Sequence, residues 1–150
     1  MYYKIISTGK HNELLWENQA INDIKAFMQA VSVTYGLDFK LVFKKNSKYV
    51  KVVLLDAHPR ETDNWRAEFQ FRTCGKNNGG IFLKFIRFPV RLQGKGLGTY
   101  CVNWLEDLAN KYGFKYIVFS AYNSADGFWR KLGYQYSNNE EFIQELYFSN

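Results

Sequence analysis

The sequence predicts one domain of the mixed α/β (α+β) class, with antiparallel strands first and a strand–helix–strand–helix–strand unit after them. Three observations support this prediction. A chain of 150 residues can bury one sizeable core but not two. Hydrophobic residues make up 47% of the chain and charged residues 23%, proportions typical of folded globular proteins. The apolar pattern changes from strand-like alternation in the first half to helical spacing in the second.

The first half is predicted to hold one long helix among strands. Apolar side chains recur at helical spacing over residues 18–35, where Gly36 is a plausible stop, and residues 11–17 are a candidate for a separate short helix. Asn46 and Ser47 are expected in a turn between paired strands. The strands predicted in this half are residues 2–8, 38–44, 49–56, 65–73 and 81–88.

The second half is predicted to contain two helices with strands between and after them. The first helix is expected to end at Gly113. Its apolar positions are Leu97, Cys101, Trp104, Leu105, Leu108 and Tyr112. Residues 124–132 form the second predicted helix, with Ser124 as a candidate N-cap. Strands are predicted over residues 116–121, near residues 134–137 and over residues 142–148. Helices are therefore expected on both faces of a central mixed sheet.

Composition excludes several classes of protein. The two cysteines, Cys74 and Cys101, are too few for a disulfide framework and show no metal-ligand spacing, so no metal site is expected. We find neither a secretory leader pattern nor an apolar run long enough to span a membrane, which predicts a cytoplasmic protein without a membrane partner. The formal net charge of +6 favours an anionic partner.

The most informative segment is residues 85–99, where a strand, a glycine-rich turn and a helix start follow one another. Backbone N–H groups at a helix N-terminus have no partner within the helix, and the helix dipole adds partial positive charge there. Glycines leading into that end let the main chain approach a phosphate closely, and Lys95 adds charge. The spacing fits neither the dinucleotide-binding pattern nor the phosphate-binding loop of nucleotide triphosphatases.

At this segment the chain resembles the GNAT acyltransferase family, whose signature is Gln/Arg-x-x-Gly-x-Gly/Ala. Gln93-Gly94-Lys95-Gly96-Leu97-Gly98 matches the signature fully, and a second match begins two residues earlier at Arg91. The first register is preferred because it lets Thr99 open the helix. A strand, Asn123 and the sequence Trp129-Arg130-Lys131-Leu132-Gly133-Tyr134 then follow in the order typical of the family. The resemblance covers roughly residues 80–136.

The resemblance implies a GNAT-like fold that binds acetyl-CoA and transfers its acetyl group to an amine. Ile86 and Phe88 would offer backbone groups to the pantetheine arm, because their strand would splay from the strand after the helix. Asn123 would hydrogen-bond the same arm. The amine would attack the thioester directly, while an N–H group polarises its carbonyl. The residues expected to hold the pyrophosphate are Gln93, Gly94, Lys95, Gly96, Leu97, Gly98 and Thr99.

The sequence departs from the family pattern at the groups that move protons. Trp129 stands where many relatives have a tyrosine that protonates the departing thiolate, and an indole N–H is not a useful acid. Tyr122 and Tyr134 are both candidates to replace it. The predicted strand before the glycine turn has no carboxylate, so Glu68 on the neighbouring strand is the candidate catalytic base. Its alternative role is a cross-strand ion pair with an arginine.

Three functions are therefore open. The first is an N-acetyltransferase acting on an amine of unknown class, with an acidic or nucleic-acid acceptor favoured by the net charge. The second is a catalytically impaired GNAT-like binding or regulatory module. The third is a basic nucleic-acid-binding domain. A homodimer is also open. The third function would use Arg66, Phe69, Phe71, Arg72, Lys84 and Arg87.

Overall fold

A computed structural model describes residues 1–44, 49–56 and 67–147. Within these ranges the chain forms seven strands and four α-helices. The strands are β1 (Tyr2–Ile5), β2 (Leu37–Lys44), β3 (Tyr49–Asp56), β4 (Ala67–Cys74), β5 (Gly80–Arg87), β6 (Tyr116–Phe119) and β7 (Gln135–Tyr136). The helices are α1 (Glu13–Tyr35), α2 (Leu97–Lys111), α3 (Asp126–Lys131) and α4 (Glu140–Tyr147).

The strands form one mixed sheet in the order β2-β3-β4-β5-β6-β1-β7. Strands β2 to β5 are antiparallel neighbours, whereas β5 and β6 run parallel and are connected through α2. The first strand, β1, lies between β6 and β7 and is antiparallel to both. The mixed α/β class and the order β5-α2-β6-α3-β7 are as predicted. The expected turn at Asn46 and Ser47 lies outside the described residues.

Helix α1 is continuous from Glu13, so the separate short helix expected over residues 11–17 is wrong. Asn12 caps it by accepting a hydrogen bond from the Leu15 amide at 3.0 Å. Gly36 ends it with a φ of 66°, in the left-handed region that favours glycine. The buried side chains of α1 lie on one stripe at spacings of three and four residues: Trp16, Ala20, Ile24, Phe27 and Val31.

The sheet buries side chains on both of its faces. On the first face α1, α2 and α3 pack in one hydrophobic cluster, in which Phe27 stacks on Trp104 with ring centroids 4.1 Å apart. On the second face α4 contributes Leu146 to a smaller cluster with Cys74 and Val118. Successive residues of β6 alternate between the two clusters, as the pleat of a strand requires. Helices therefore cover both faces, as the sequence predicts.

Helix α4 occupies the segment for which we predict a strand over residues 142–148, and that prediction is wrong. Asn139 accepts a hydrogen bond from the Phe142 amide at 3.1 Å and so caps the helix, and Glu140 and Glu141 lie in the first turn, where the dipole favours negative charge. Phe142 and Leu146, four residues apart, both reach the smaller cluster. The run of apolar residues in this segment therefore has helical spacing.

Candidate functional site

A cleft lies where the parallel strands β5 and β6 separate. The two strands pair only at three positions, from Gly80 with Tyr116 to Phe82 with Val118, although β5 continues to Arg87. The cleft beyond that point has a volume of about 800 Å³. Its walls are formed by β5, the start of α2, the end of β6 and α3. A crevice at the carboxyl ends of parallel strands is a common position for ligand sites in α/β proteins.

The glycine turn leads from β5 to α2 at one end of this cleft. Gly94 and Gly96 have φ values of 73° and 79°, which only glycine adopts without strain. Helix α2 begins at Leu97 rather than Thr99. Gly98 therefore belongs to the helix, and the glycine turn before the helix ends at Gly96. The Tyr100 amide bonds to the Gly96 carbonyl at 2.9 Å. The amides before Tyr100 therefore stand at the free N-terminus of the helix.

Two contacts hold the glycine turn in place. The Gln93 side-chain amide donates to the Phe88 carbonyl at 2.9 Å, which ties the turn to the end of β5. The Tyr35 hydroxyl, at the end of α1, donates to the Lys95 carbonyl at 3.5 Å. The Gln93 side chain thus stabilises the turn. Any contact from Gln93 to a ligand would come from its backbone.

The residues predicted to bind the cofactor fall into two groups. Ile86, Phe88, Gln93 and Gly98 line the cleft. The others lie around the turn rather than in the cleft wall: Gly94, Lys95 and Gly96 are exposed, Leu97 is buried in the core and Thr99 is half-buried. Asn123 begins a short 3-10 turn, residues Asn123–Ala125, beside the cleft, and its side chain lies outside the described part of the structure.

Helix α3 forms the wall of the cleft opposite β5. It begins at Asp126 without a side-chain cap, so Ser124 is not the N-cap we predict for it. The Asp126 carboxylate accepts from the Tyr2 hydroxyl at 2.8 Å and from Arg130 Nε at 3.0 Å. These two hydrogen bonds lower the pKa of Asp126. They join α3 to β1 and thereby position the wall.

The three aromatic candidates for proton transfer differ in position. Trp129 is buried, lines the cleft and packs on Phe119 with ring centroids 4.1 Å apart, so it forms an apolar floor. Tyr122 also lines the cleft and is 88% exposed. Tyr134 is buried behind Trp129, does not line the cleft, and its pKa is raised by burial and by the nearby Glu106 carboxylate. Of the two tyrosines, only Tyr122 can therefore meet a ligand there.

Glu68, the candidate base, forms a cross-strand ion pair. It lies opposite Arg87 in the register of β4 and β5, and its Oε2 is 3.6 Å from Arg87 Nη2. Glu68 itself does not line the cleft, whereas Arg87 does. The geometry thus matches the alternative role that the sequence leaves open.

Lys84, Phe85 and Arg87 also line the cleft, and no pattern in the sequence places them there. Gln70 pairs with Phe85 and Phe71 with Leu83, so Lys84 is the extra residue of a β-bulge. The bulge leaves both Lys84 and Phe85 exposed at the cleft. The sequence shows that Lys84 and Arg87 are the charges of this strand, but no pattern in it locates the bulge.

A scan of protein-family models and a search of curated proteins find no match to this chain. None of the helices within the described ranges has the length and apolar character needed to cross a bilayer. Among the same residues, no group of three or more histidine, cysteine or acidic side chains is placed to hold a metal ion. The geometry of the cleft is therefore the main guide to function.

Proposed function

We propose that this protein is a GNAT-type N-acetyltransferase that binds acetyl-CoA in the cleft between β5 and β6. The observation that carries the proposal is the combination of two parted parallel strands with a free helix N-terminus at their mouth. The helix offers amides and partial positive charge to a pyrophosphate. The parted strand offers unpaired backbone groups to an extended arm with amide bonds. Coenzyme A contains both groups next to each other: a pantetheine arm with two amide bonds, joined to a pyrophosphate.

Each wall of the cleft has a role in this proposal. Beyond Phe82, β5 has no register partner in β6, and the backbone of Leu83–Arg87 can therefore add the pantetheine arm as a further strand. Trp129, Phe119 and Phe128 form an apolar wall for the methylene groups of the arm. The turn that carries Lys95 lies at the mouth, where it can meet the negatively charged phosphates.

The reaction requires little of the protein beyond position and electrostatics. A neutral amine attacks the thioester carbonyl, a C–N bond forms, the C–S bond breaks, and the departing thiolate accepts a proton. The ammonium proton passes to solvent, because no aspartate or glutamate is among the described residues lining the cleft. Tyr122, which lines the cleft, can donate a proton to the thiolate. Holding the two reactants together is itself a large part of such catalysis.

A GNAT-like module with impaired catalysis is the second candidate. The buried Trp129 in the cleft floor and the pairing of Glu68 with Arg87 both favour it, because neither residue then supplies an acid or a base. The nucleic-acid alternative is weakened by burial of its aromatic pair. Phe69 and Phe71 are 0% and 1% exposed, so they cannot stack on bases.

Thermal-shift titration with acetyl-CoA tests the cofactor proposal. A ligand that binds only the native state raises the melting temperature. We expect this rise for the wild type and for Gly98→Ala, since a Cβ at Gly98 would approach its nearest neighbour, Phe128, at an ordinary 3.6 Å. Gly98→Asp should abolish the rise, because it adds a negative charge beside the phosphates. The fold should survive, since a carboxylate suits the first turn of a helix.

Two results would contradict the proposal. One is a wild type whose melting temperature does not respond to millimolar acetyl-CoA. The other is a Gly98→Asp variant that responds as strongly as Gly98→Ala. Release of free thiol from acetyl-CoA, measured with a panel of amines, then separates the enzyme from the impaired module. Turnover with any amine eliminates the impaired module.

A further inference from the structure

The cleft passes through the sheet from one face to the other. Ile86 and Phe88 lie on the face covered by α1 and α2, where both pack against the main cluster. Successive residues of a strand point to opposite faces, so Arg87 lies on the other face, and the bulge brings Phe85 there as well. Because residues of both faces line one cleft, a second ligand bound on the other face can reach a ligand held at the α2 end.

Among the residues that the structure describes, the charged side chains lining the cleft are all positive. Lys84 and Arg87 are the charged side chains among the described residues that line it. Both lie beside the Phe85 ring, with Arg87 Cζ 4.4 Å and Lys84 Nζ 5.7 Å from its centroid. Phe85 is 36% exposed, so the ring and the two cations form one partly open surface. We call Lys84, Phe85 and Arg87 the cationic rim.

The contacts of Arg87 orient its guanidinium group and still leave N–H donors that can bind a ligand. Glu68 approaches one of its nitrogens at 3.6 Å, which is longer than a charge-assisted hydrogen bond. The guanidinium has five N–H donors and its side chain is 46% exposed. The Phe85 ring and the Glu68 carboxylate restrict its orientation before any ligand arrives. Arg87 can therefore form a bidentate pair with a planar anion at low entropic cost.

We propose that the acyl acceptor is a small amine that also carries a carboxylate, and that the cationic rim binds this carboxylate on the second face of the sheet. This inference rests on the proposed acetyltransferase function. Arg87 provides the bidentate contact, Lys84 adds charge, and the amine is left free to point through the gap to the thioester. The two positive charges at the rim also disfavour an ammonium ion nearby, which favours the neutral amine that attacks the thioester.

The experiment compares matched amines that differ only in their anionic group. We would measure kcat/KM for thiol release with β-alanine, its primary amide, and aminoethylphosphonate as a tetrahedral anion. The wild type should prefer β-alanine to the amide by at least about tenfold, the range expected for one charged hydrogen-bonded contact. A preference for the phosphonate over β-alanine would overturn the choice of carboxylate.

Variants then assign the preference to the rim. Arg87→Gln should remove most of the preference for β-alanine over its amide. This preference is a ratio of two kcat/KM values at one acetyl-CoA concentration, so any change in acetyl-CoA binding cancels from it. Lys84→Gln should reduce the preference by a smaller factor. Lys25→Gln is the matched control, because it removes the same charge from an exposed position on α1. A wild type that uses acid and amide equally, or an Arg87→Gln variant that keeps the wild-type preference, would overturn the inference.

Failure of the inference can be told apart from failure of the proposed function. If acetyl-CoA does not bind the wild type, the enzyme proposal itself fails. If acetyl-CoA binds but no amine turns over, calorimetry of β-alanine against the coenzyme A complex replaces kinetics as the measurement. Binding to the wild type that is lost in Arg87→Gln supports the inference there, and the absence of any such binding refutes it.

Discussion

Gly80 and Gly127 are two glycines whose substitution should act in opposite directions. A Cβ added at Gly80 would lie 2.3 Å from the ring of Tyr116, its partner in β6. That ring cannot easily move, because the Tyr116 hydroxyl donates to the Leu146 carbonyl at 2.6 Å. A Cβ at Gly127, within α3, would have nothing within 4 Å. The Tyr116 ring therefore leaves no room for a side chain at Gly80, whereas Gly127 has room for one.

We expect Gly80→Ala to destabilise the protein by about 2 kcal/mol or more, because the methyl group forces apart the point where β5 and β6 still pair. Gly127→Ala should instead stabilise it by about 0.5–1 kcal/mol through the helix propensity of alanine. Urea unfolding of both variants measures the difference. Equal stability of the two variants would show that the packing of Tyr116 against Gly80 is not rigid.

Prediction of single residues from the sequence succeeds where a local rule applies. The glycine turn that leads into α2 and the end of α1 at Gly36 both follow from the positions of the glycines. The position of Arg87 at the cleft does not follow from such a rule. It depends on a bulge at Lys84 that arises from pairing with β4, and this pairing is set by tertiary contacts.

At the scale of elements, α3 depends on β1 for its position. Asp126 is the acceptor for both Tyr2 and Arg130, and its lowered pKa means that the folded state prefers the carboxylate. A group whose pKa is lowered by folding stabilises the protein above its unfolded pKa, ordinarily 3.8 here, and loses this effect as the pH falls. The wall of the cleft is therefore sensitive to acid.

We expect Asp126→Asn to be less stable than the wild type at pH 7, and the difference should narrow as the pH falls below about 4. Asp107→Asn is a suitable control, since it removes a carboxylate from an exposed position on α2. Urea unfolding at a series of pH values makes the comparison. A difference between Asp126→Asn and the wild type that stays constant down to pH 2 would contradict the role of the carboxylate.

The sequence predicts an element well where apolar residues keep one spacing over many residues and a glycine marks the end. Helix α2 shows both features, and its place between β5 and β6 was predicted. The sequence of helix α4 resembles that of a strand, because its eight residues span barely two helical turns and include aromatic residues that favour strands. Its identity depends on the Asn139 cap and on burial against the sheet, of which only the cap could be read from the sequence.

At the scale of the whole molecule, two hydrophobic clusters of unequal size share one sheet, and each contains a cysteine. Cys101, a residue of α2, belongs to the main cluster. Cys74, the last residue of β4, belongs to the smaller cluster that α4 covers. Burial raises the pKa of both thiols to about 12, so their intrinsic reactivities as thiolates are similar. Any difference in labelling rate therefore reports how easily each cluster opens.

We expect Cys74 to react with a thiol reagent at least about tenfold faster than Cys101, because opening α4 exposes Cys74 without disturbing the main cluster. Labelling of Cys101→Ala and Cys74→Ala, each of which retains one thiol, measures the two rates separately. The Cys101 rate should rise steeply with urea and the Cys74 rate only weakly. Identical rates with one urea dependence would show that the two clusters open together.

The placement of β1 between β6 and β7 has a consequence for synthesis on the ribosome. Residues 2–5 emerge well before Tyr116 and Gln135, which flank them in the sheet. At about 5–20 residues per second this delay is roughly 5–25 s. During that interval both edges of a tyrosine-rich strand are unpaired, and an unpaired strand edge is a site where another chain can add and start aggregation.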